Sequence, residues 1–307
     1  MRFVEKFFLY LLVGVFSFLL FLYLSFPYQI LKEKIVNIIS RETSSLVSIK
    51  TLNPSFPLGI DVDDLRMYRP GAGELLVDHV TVQVSIFSII FGKIKVSALL
   101  KDPSKGTLDL RVHLSLMDII SPKEMILPSY ASLEADNFDI APMINYFLSL
   151  KASEKDLNPV MKSAFRDMNF VGKLKSNTFF EFDKGDYLDS KGTIDISFVN
   201  AGLDVLSLPF QQFQDAHILA SLGKGSFTVD PKTSFVSDGM KLEVTGSVKQ
   251  EEDILASKLD LNIKLELYKA LKENFGMILG FFAPGSEEGA LKVHFKGTLG
   301  DPQTDFL

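Results

Sequence analysis

The sequence predicts a mainly β protein: an N-terminal transmembrane helix followed by an elongated, largely antiparallel twisted sheet, a gutter or open barrel, with a few short inserted helices. Three observations carry this. Phe7 to Phe26 is an apolar run without a charge, about as long as a helix needs to cross the hydrocarbon core of a bilayer. Beyond it, apolar and polar residues alternate with a period of two in one segment after another, as in strands with one covered face and one wet face. The segments are separated by Gly, Pro, Asn and Asp rather than by regular helices, which fits hairpins and not the crossovers of a parallel sheet.

The apolar run comes first. Inside lipid each unpaired backbone group costs several kcal/mol, so such a run has to be helical, and Pro27 closes it. It is longer than the apolar region of a cleavable signal peptide and passes into Ser25-Phe26-Pro27-Tyr28 with no small-residue cleavage site. It therefore reads as an uncleaved anchor carried by Phe7, Leu11, Val15, Phe18, Leu22 and Phe26, with Tyr23, Phe26 and Tyr28 suited to the interface. Arg2 and Lys6 before it nearly balance Lys32, Lys34 and Arg41 after it, so charge alone does not orient it. The short leading flank makes an N-in, single-pass arrangement the default. The division expected is 1–6 as a cytoplasmic flank, 7–26 as the membrane helix, 27–47 as a juxtamembrane amphipathic helix and 48–307 as an extracytoplasmic β-rich domain. In a bacterial cell that domain would be periplasmic, with the anchor in the inner membrane.

The elements then follow in order. Gln29 to Ser40 spaces Ile30, Ile35, Ile38 and Ile39 for an amphipathic helix. Strands are predicted at Ser48 to Leu52 and Ile60 to Tyr68, split by Asn53-Pro54-Ser55-Phe56-Pro57-Leu58-Gly59. Val80, Val82 and Val84 alternate cleanly with Thr81, Gln83 and Ser85. Ile86 to Phe91 is too densely apolar for that pattern, and Ile94, Val96 and Ala98 restart it. After a turn at Asp102 to Gly106, the set Leu108, Leu110, Val112, Leu114 and Leu116 makes the next strand. Ser132 to Phe138 is another. Asp139 with Pro142 opens a helix to about Leu150, and Asn158-Pro159 opens a second. Further strands are expected at Phe170 to Leu174, Thr178 to Asp183, Gly192 to Val199, His217 to Leu222, Gly225 to Val229, Met240 to Val248 and Lys258 to Leu267. In the last of these Leu259, Leu261, Ile263, Leu265 and Leu267 are interleaved with polar residues. Tyr268 to Phe282 switches to helical spacing, Leu291, Val293 and Phe295 mark a final strand, and Gly297 to Pro302 closes the chain.

Composition excludes several chemistries. The formal charge of -6 is spread along the chain and no basic stripe is present, which argues against a nucleic-acid partner. The chain has no cysteine, so no thiolate metal or redox site is available. His79, His113, His217 and His294 each sit in a strand pattern without a second histidine nearby. Asp61, Asp63 and Asp64 lack the glycine and distal glutamate of a calcium loop and read as a solvated strand edge. Gly223-Lys224-Gly225-Ser226 only echoes a phosphate-binding loop and reads as a hairpin. No catalytic constellation, cofactor or metal site is expected, and the chain reads as a non-enzyme. What remains is a sheet with more apolar face than its helices can cover, including Val80, Val82, Val84, Leu110, Val112, Leu114, Leu261, Ile263 and Leu265. Such a face is either self-buried or lined by acyl chains or another protein.

Several stretches carry a family resemblance. Phe26-Pro27-Tyr28 after the anchor, Pro54-Ser55-Phe56-Pro57-Leu58-Gly59, Asp139-Ile140-Ala141-Pro142 and Lys296-Gly297-Thr298-Leu299-Gly300-Asp301-Pro302 together resemble the type II secretion system protein N (GspN) family. That resemblance implies an inner-membrane-anchored periplasmic structural subunit, with other secretion-system inner-membrane subunits as partners and no enzymatic residues. Val77 to Leu100, two strands around Ser85-Ile86-Phe87-Ser88-Ile89-Ile90-Phe91-Gly92, looks like the AsmA-like group of envelope proteins. This second resemblance implies a β-gutter that binds or conducts phospholipid. The β-region is longer than in the better-known secretion members, which gives weight to the AsmA-like reading.

Overall fold

The computed structural model describes residues 10, 13–14, 17, 21, 25, 27–70, 73–120, 128–153, 159–182, 189–204, 210–251, 253–269, 271–273 and 289–306. The anchor positions Phe7, Leu11, Val15, Phe18, Leu22 and Phe26 lie outside them. Among the described residues no helix is long and apolar enough to cross a membrane, so the sequence reading of a transmembrane helix finds no support in the structure.

The described chain is dominated by one antiparallel sheet of fifteen strands. In order they are β1 Leu46–Ser55, β2 Gly59–Arg69, β3 Gly73–Val84, β4 Lys93–Lys101, β5 Thr107–Ser115, β6 Tyr130–Asp139, β7 Asn169–Glu181 and β8 Lys191–Asp204. Then come β9 Gln211–Gly223, β10 Ser226–Val229, β11 Ser234–Ser237, β12 Met240–Lys249, β13 Lys258–Leu267, β14 Ala290–Thr298 and β15 Pro302–Phe306. Each strand pairs with its neighbour in sequence, except that β10 and β11 together fill one position between β9 and β12. The ladder starts at β1 and stops at β15, and these two strands are not paired with each other. Helix α1 Tyr28–Thr43 precedes the sheet, and the short helices α2 Ile86–Ile90, α3 Leu116–Ile120, α4 Ala141–Ala152 and α5 Pro159–Arg166 interrupt the meander.

Several boundaries correct the sequence reading. The segments predicted as separate strands at Phe170 to Leu174 and Thr178 to Asp183 form the single strand β7, since nothing in Lys175-Ser176-Asn177 stops a chain already paired on both sides. β11 and β15 were not foreseen; the chain does not close at Pro302 but adds an edge strand there. The dense patch at Ile86 is the one-turn helix α2. Of the helix predicted over Tyr268 to Phe282, Lys269 and 271–273 are helical and most of the rest lies outside the described residues. The lysine between glycines at Gly223 to Gly225 is a hairpin tip: Lys224 and Gly225 have φ of 52° and 67°, the left-handed pair that a tight turn needs.

The core lies where helices meet the first half of the sheet. Tyr28, Leu31, Ile35 and Val36 of α1 pack on the buried Ile49, Leu52 and Val62. Met143 and Leu150 of α4 pack with Tyr146 on Leu75 and Val77, and Met143 also reaches the cluster of Leu108, Phe138 and Leu174. The alternation is not continuous through these strands. Ile49 and Leu52, Val62 and Leu65, Val77 and Val80, and Ala135 and Phe138 are all spaced by three yet share a core. Asp64 and Asn137 adopt φ of 51° and 49°, a conformation that Asp and Asn tolerate better than most residues, and a register shift accompanies the second.

One buried carboxylate ties the β4–β5 turn to the entry of α4. Asp102 accepts hydrogen bonds from the Gly106 N–H at 2.9 Å, the Ser104 hydroxyl at 2.8 Å and the Asp139 N–H. A Cβ on Gly106 would lie 2.3 Å from the Asn137 carbonyl oxygen, so only glycine fits. Burial pushes the Asp102 carboxyl up, but the hydrogen bonds from Asp139, Ser104 and Gly106 outweigh it and leave it below its ordinary 3.8. A depressed carboxyl stabilises the fold above its unfolded value and loses that contribution as pH falls through the folded value. Asp102→Asn is accordingly expected to cost about 1–3 kcal/mol at neutral pH, measured by urea unfolding. The difference from the parent should shrink toward acid pH; a constant difference from neutral to acid pH would contradict this account.

Candidate functional site: an apolar sheet face

The register assembles one face of the sheet from single positions on successive strands. Val84 pairs with Val96, Val96 with Val112, Val112 with Ala131, Ala131 with Phe180 and Phe180 with Gly192. The row continues through Leu222, Phe227, Val248, Leu259, Gly297 and Pro302. No side chain in it is polar. At about 4.8 Å per strand the row is on the order of 50 Å long, longer than the ~30 Å hydrocarbon core of a bilayer.

The adjacent row, one residue along each strand, has the opposite character. It runs Gln83, Ser97, Arg111, Ser132, Phe179, Thr193, Ser221, Thr228, Ser247, Asp260, Lys296 and Gln303. Phe179 is its one apolar side chain. Because successive side chains on a strand point to opposite faces, these two rows lie on opposite faces of the sheet from β3 to β15. Among the paired strand residues, polar side chains enter the apolar face beside the first row only at Ser176, Thr178 and Thr304. This contrast is the reason the sequence alternates.

The structure places the predicted face residues in two groups on this face, one on β3 to β5 and one on β13. Val82, Ala98, Leu110 and Leu133 form a parallel row beside the first, with Val80, Leu100 and Leu108 in the next. Leu114 pairs with Ile94 at the start of β4. On β13, Leu261, Ile263 and Leu265 pair with Phe295, Val293 and Leu291. Coverage is uneven: Leu108, under α4, is 7% exposed, whereas Leu110, two residues further along, is 36% exposed. Val80, Val82, Val84, Val112, Leu114, Leu261, Ile263 and Leu265 are half-buried. Further along the same face a pocket of about 320 Å³ is lined by Phe180, Phe182, Leu222, Phe227, Val248 and Leu299 together with the polar Gln250 and Ser257. Sequence reasoning missed Phe180, Leu222 and Phe227 as part of this surface. Their strands were legible, but which positions oppose each other depends on turn lengths.

The helix over the first half is held by a polar contact within an apolar cluster. The Tyr146 hydroxyl of α4 is hydrogen-bonded to the Ser45 hydroxyl at the joint between α1 and β1, and both residues are buried. The Asn145 amide donates to the Phe170 carbonyl at 2.9 Å, and its oxygen accepts the Phe170 N–H at 2.7 Å. α4 is thus pinned to β7 on one side and to the α1 joint on the other.

Several titratable groups on the polar face have partners there. Asp63 accepts from Thr51 and contacts His79 Nδ1, each at 2.6 Å, and these hydrogen bonds hold its carboxyl below its ordinary value. Asp61 accepts from Thr81 at 2.7 Å, and Asp64 forms an ion pair with Lys50 at 3.1 Å. His217 and His294 pair with Asp215 and Asp260. His113 stacks on Tyr130 with centroids 4.7 Å apart; burial, then Lys95 and Lys93, lower its pKa. No group of three metal-ligating side chains occurs among the described residues.

Comparison of the chain with family models, curated proteins and solved structures finds no match.

The uneven cover predicts unequal costs for one truncation. Leu108→Ala empties a packed site and is expected to cost about 2–5 kcal/mol. Leu110→Ala should cost less, about 1–2 kcal/mol, since Leu110 is already 36% exposed. Equal losses in paired denaturant titrations would show that both leucines are packed in solution.

Proposed function

We propose that the protein is a non-enzymatic envelope protein whose sheet forms a β-gutter for the acyl chain of a phospholipid. The reading includes Phe7 to Phe26 as an inner-membrane anchor and the sheet in the periplasm. The observation that carries it is the uninterrupted apolar row from Val84 to Pro302 on a sheet whose first and last strands are not paired with each other. A self-buried sandwich or barrel would place that row in a dry core. Here most of it is half-buried and not sealed, and large contiguous apolar surface is uncommon without a function. Acyl chains suit it because they need area and length but no hydrogen-bond partners, and the row supplies none.

A second reading, a structural subunit associated with type II protein secretion, is favoured by β15. That strand pairs only with β14 among the described residues. The outer edge of that strand presents backbone donors and acceptors to which a partner subunit can add a strand.

A photoactivatable fatty acid distinguishes the two. Crosslinking in membranes holding the full chain is expected to label peptides of β4 to β8 in addition to residues 7–26. The pair Leu110→Glu and Val112→Glu, on a partly exposed face, should reduce β-region labelling at least tenfold with the far-ultraviolet dichroism unchanged. Arg111→Glu, on the opposite face, should leave labelling intact. Labelling confined to residues 7–26, with crosslinks from β15 to another membrane subunit, would overturn the lipid reading in favour of the second.

A further inference from the structure

The apolar tips at one end of the sheet are a surface of a different kind from the gutter. Three successive hairpin ends carry them. The β1–β2 turn exposes Phe56 (65%) and Leu58 (39%), α2 and the residue after it expose Phe87 (76%) and Phe91 (80%), and α3 exposes Met117 and Ile120 (68% each). The three ends adjoin one another: the Val84 N–H donates to the Leu58 carbonyl at 2.8 Å just before α2, and the Leu116 N–H at the start of α3 donates to the Gly92 carbonyl at 2.9 Å. Side chains this apolar and this exposed are not explained by core packing, because the strands behind them already hold the core.

The polarity of α1 says what faces them. Its C-terminal end lies at the start of β1, where Arg69 donates to the Thr43 carbonyl at 3.4 Å. Eleven residues earlier, about 16 Å along a helix, Lys32 donates to the Lys50 carbonyl at 2.9 Å, halfway down β1. The helix therefore runs antiparallel to β1, and its first turn at Tyr28 points toward the β1–β2 turn that bears Phe56. The apolar run Phe7 to Phe26 thus joins the domain at the end that carries the six tips. Lys93 and Lys95, at the start of β4 beside α2, are exposed and have no carboxylate within ion-pair distance among the described residues.

We infer that Phe56, Leu58, Phe87, Phe91, Met117 and Ile120 form a membrane-docking rim that inserts into the interface of the bilayer holding the apolar run, with Lys93 and Lys95 meeting anionic headgroups. Exposed apolar side chains flanked by cations suit that boundary. The inference uses the anchor reading but not the gutter's ligand, so the rim stands or falls whether or not the gutter binds lipid.

The absence of cysteine makes the test direct. The full chain carrying Phe91→Cys or Met117→Cys, labelled with an environment-sensitive fluorophore, is reconstituted into phosphatidylcholine and phosphatidylglycerol vesicles. Glu74→Cys, at the opposite end of the sheet, is the control. Both rim labels are expected to shift to the blue and to be quenched severalfold by nitroxide attached to the lipid, with the Glu74 label unaffected. The replaced side chains are exposed, so the substitutions leave the core untouched. Rim labels as wet as the Glu74 label in chains that float with the vesicles would overturn the rim and leave the anchor standing. A blue shift without lipid quenching would also overturn it, because a second copy or another protein would then cover the tips.

Discussion

In a pure meander, where every strand pairs with the one before it, the chain has no crossover to spend on helices. A parallel sheet acquires a helix with each connection and covers both its faces in the process. Here neighbouring strands are joined by turns or by short helical insertions, and one row stays apolar along the whole register from Val84 to Pro302. The cover has to come from insertions. α1 enters before the sheet, α4 and α5 interrupt it between β6 and β7, and the strands they leave uncovered keep Leu110 and its neighbours partly in water. The candidate site is therefore what the topology leaves open.

That arrangement places demands on the few helices. α4 contributes to two of the three described core clusters through Met143, so its position decides how far the packed core extends. It is fixed at entry by Asp102, in its middle by Asn145, and against the α1 joint by Tyr146. Each of these polar side chains buries a donor or acceptor whose partner is backbone or hydroxyl, so misplacing the helix would leave groups unsatisfied at about 1–3 kcal/mol each. Apolar contacts alone would let a helix slide along a uniformly aliphatic face.

The sequence made the strands legible because alternation is local, and it made the face residues legible for the same reason. Val80, Val82 and Val84, or Leu261, Ile263 and Leu265, announce a shared face without help from the rest of the chain. Two things were not local. The phase changes at Asp64 and Asn137 put residues three apart on one side, and only the left-handed backbone reveals them. The opposition of Phe180, Leu222 and Phe227 depends on pairing across turns whose lengths the strand pattern does not encode. β15 was missed because Pro302 and Gly297 read as an ending, whereas a proline is well tolerated at the start of an edge strand.

The direction of α1 gives the sheet a near end and a far end with respect to the apolar run. Without it, a long apolar row could present either set of hairpins to a bilayer. The antiparallel fit of α1 on β1, fixed by Lys32 and Arg69 at two points, puts Phe56, Phe87, Phe91 and Ile120 on the near side and the Asp102 turn on the far side. A gutter that accepts acyl chains needs one mouth close to their source, and a scaffold needs a defined standing orientation. The same helix supplies both, so the joint at Ser45 and Tyr146 governs how the sheet stands as well as how it packs.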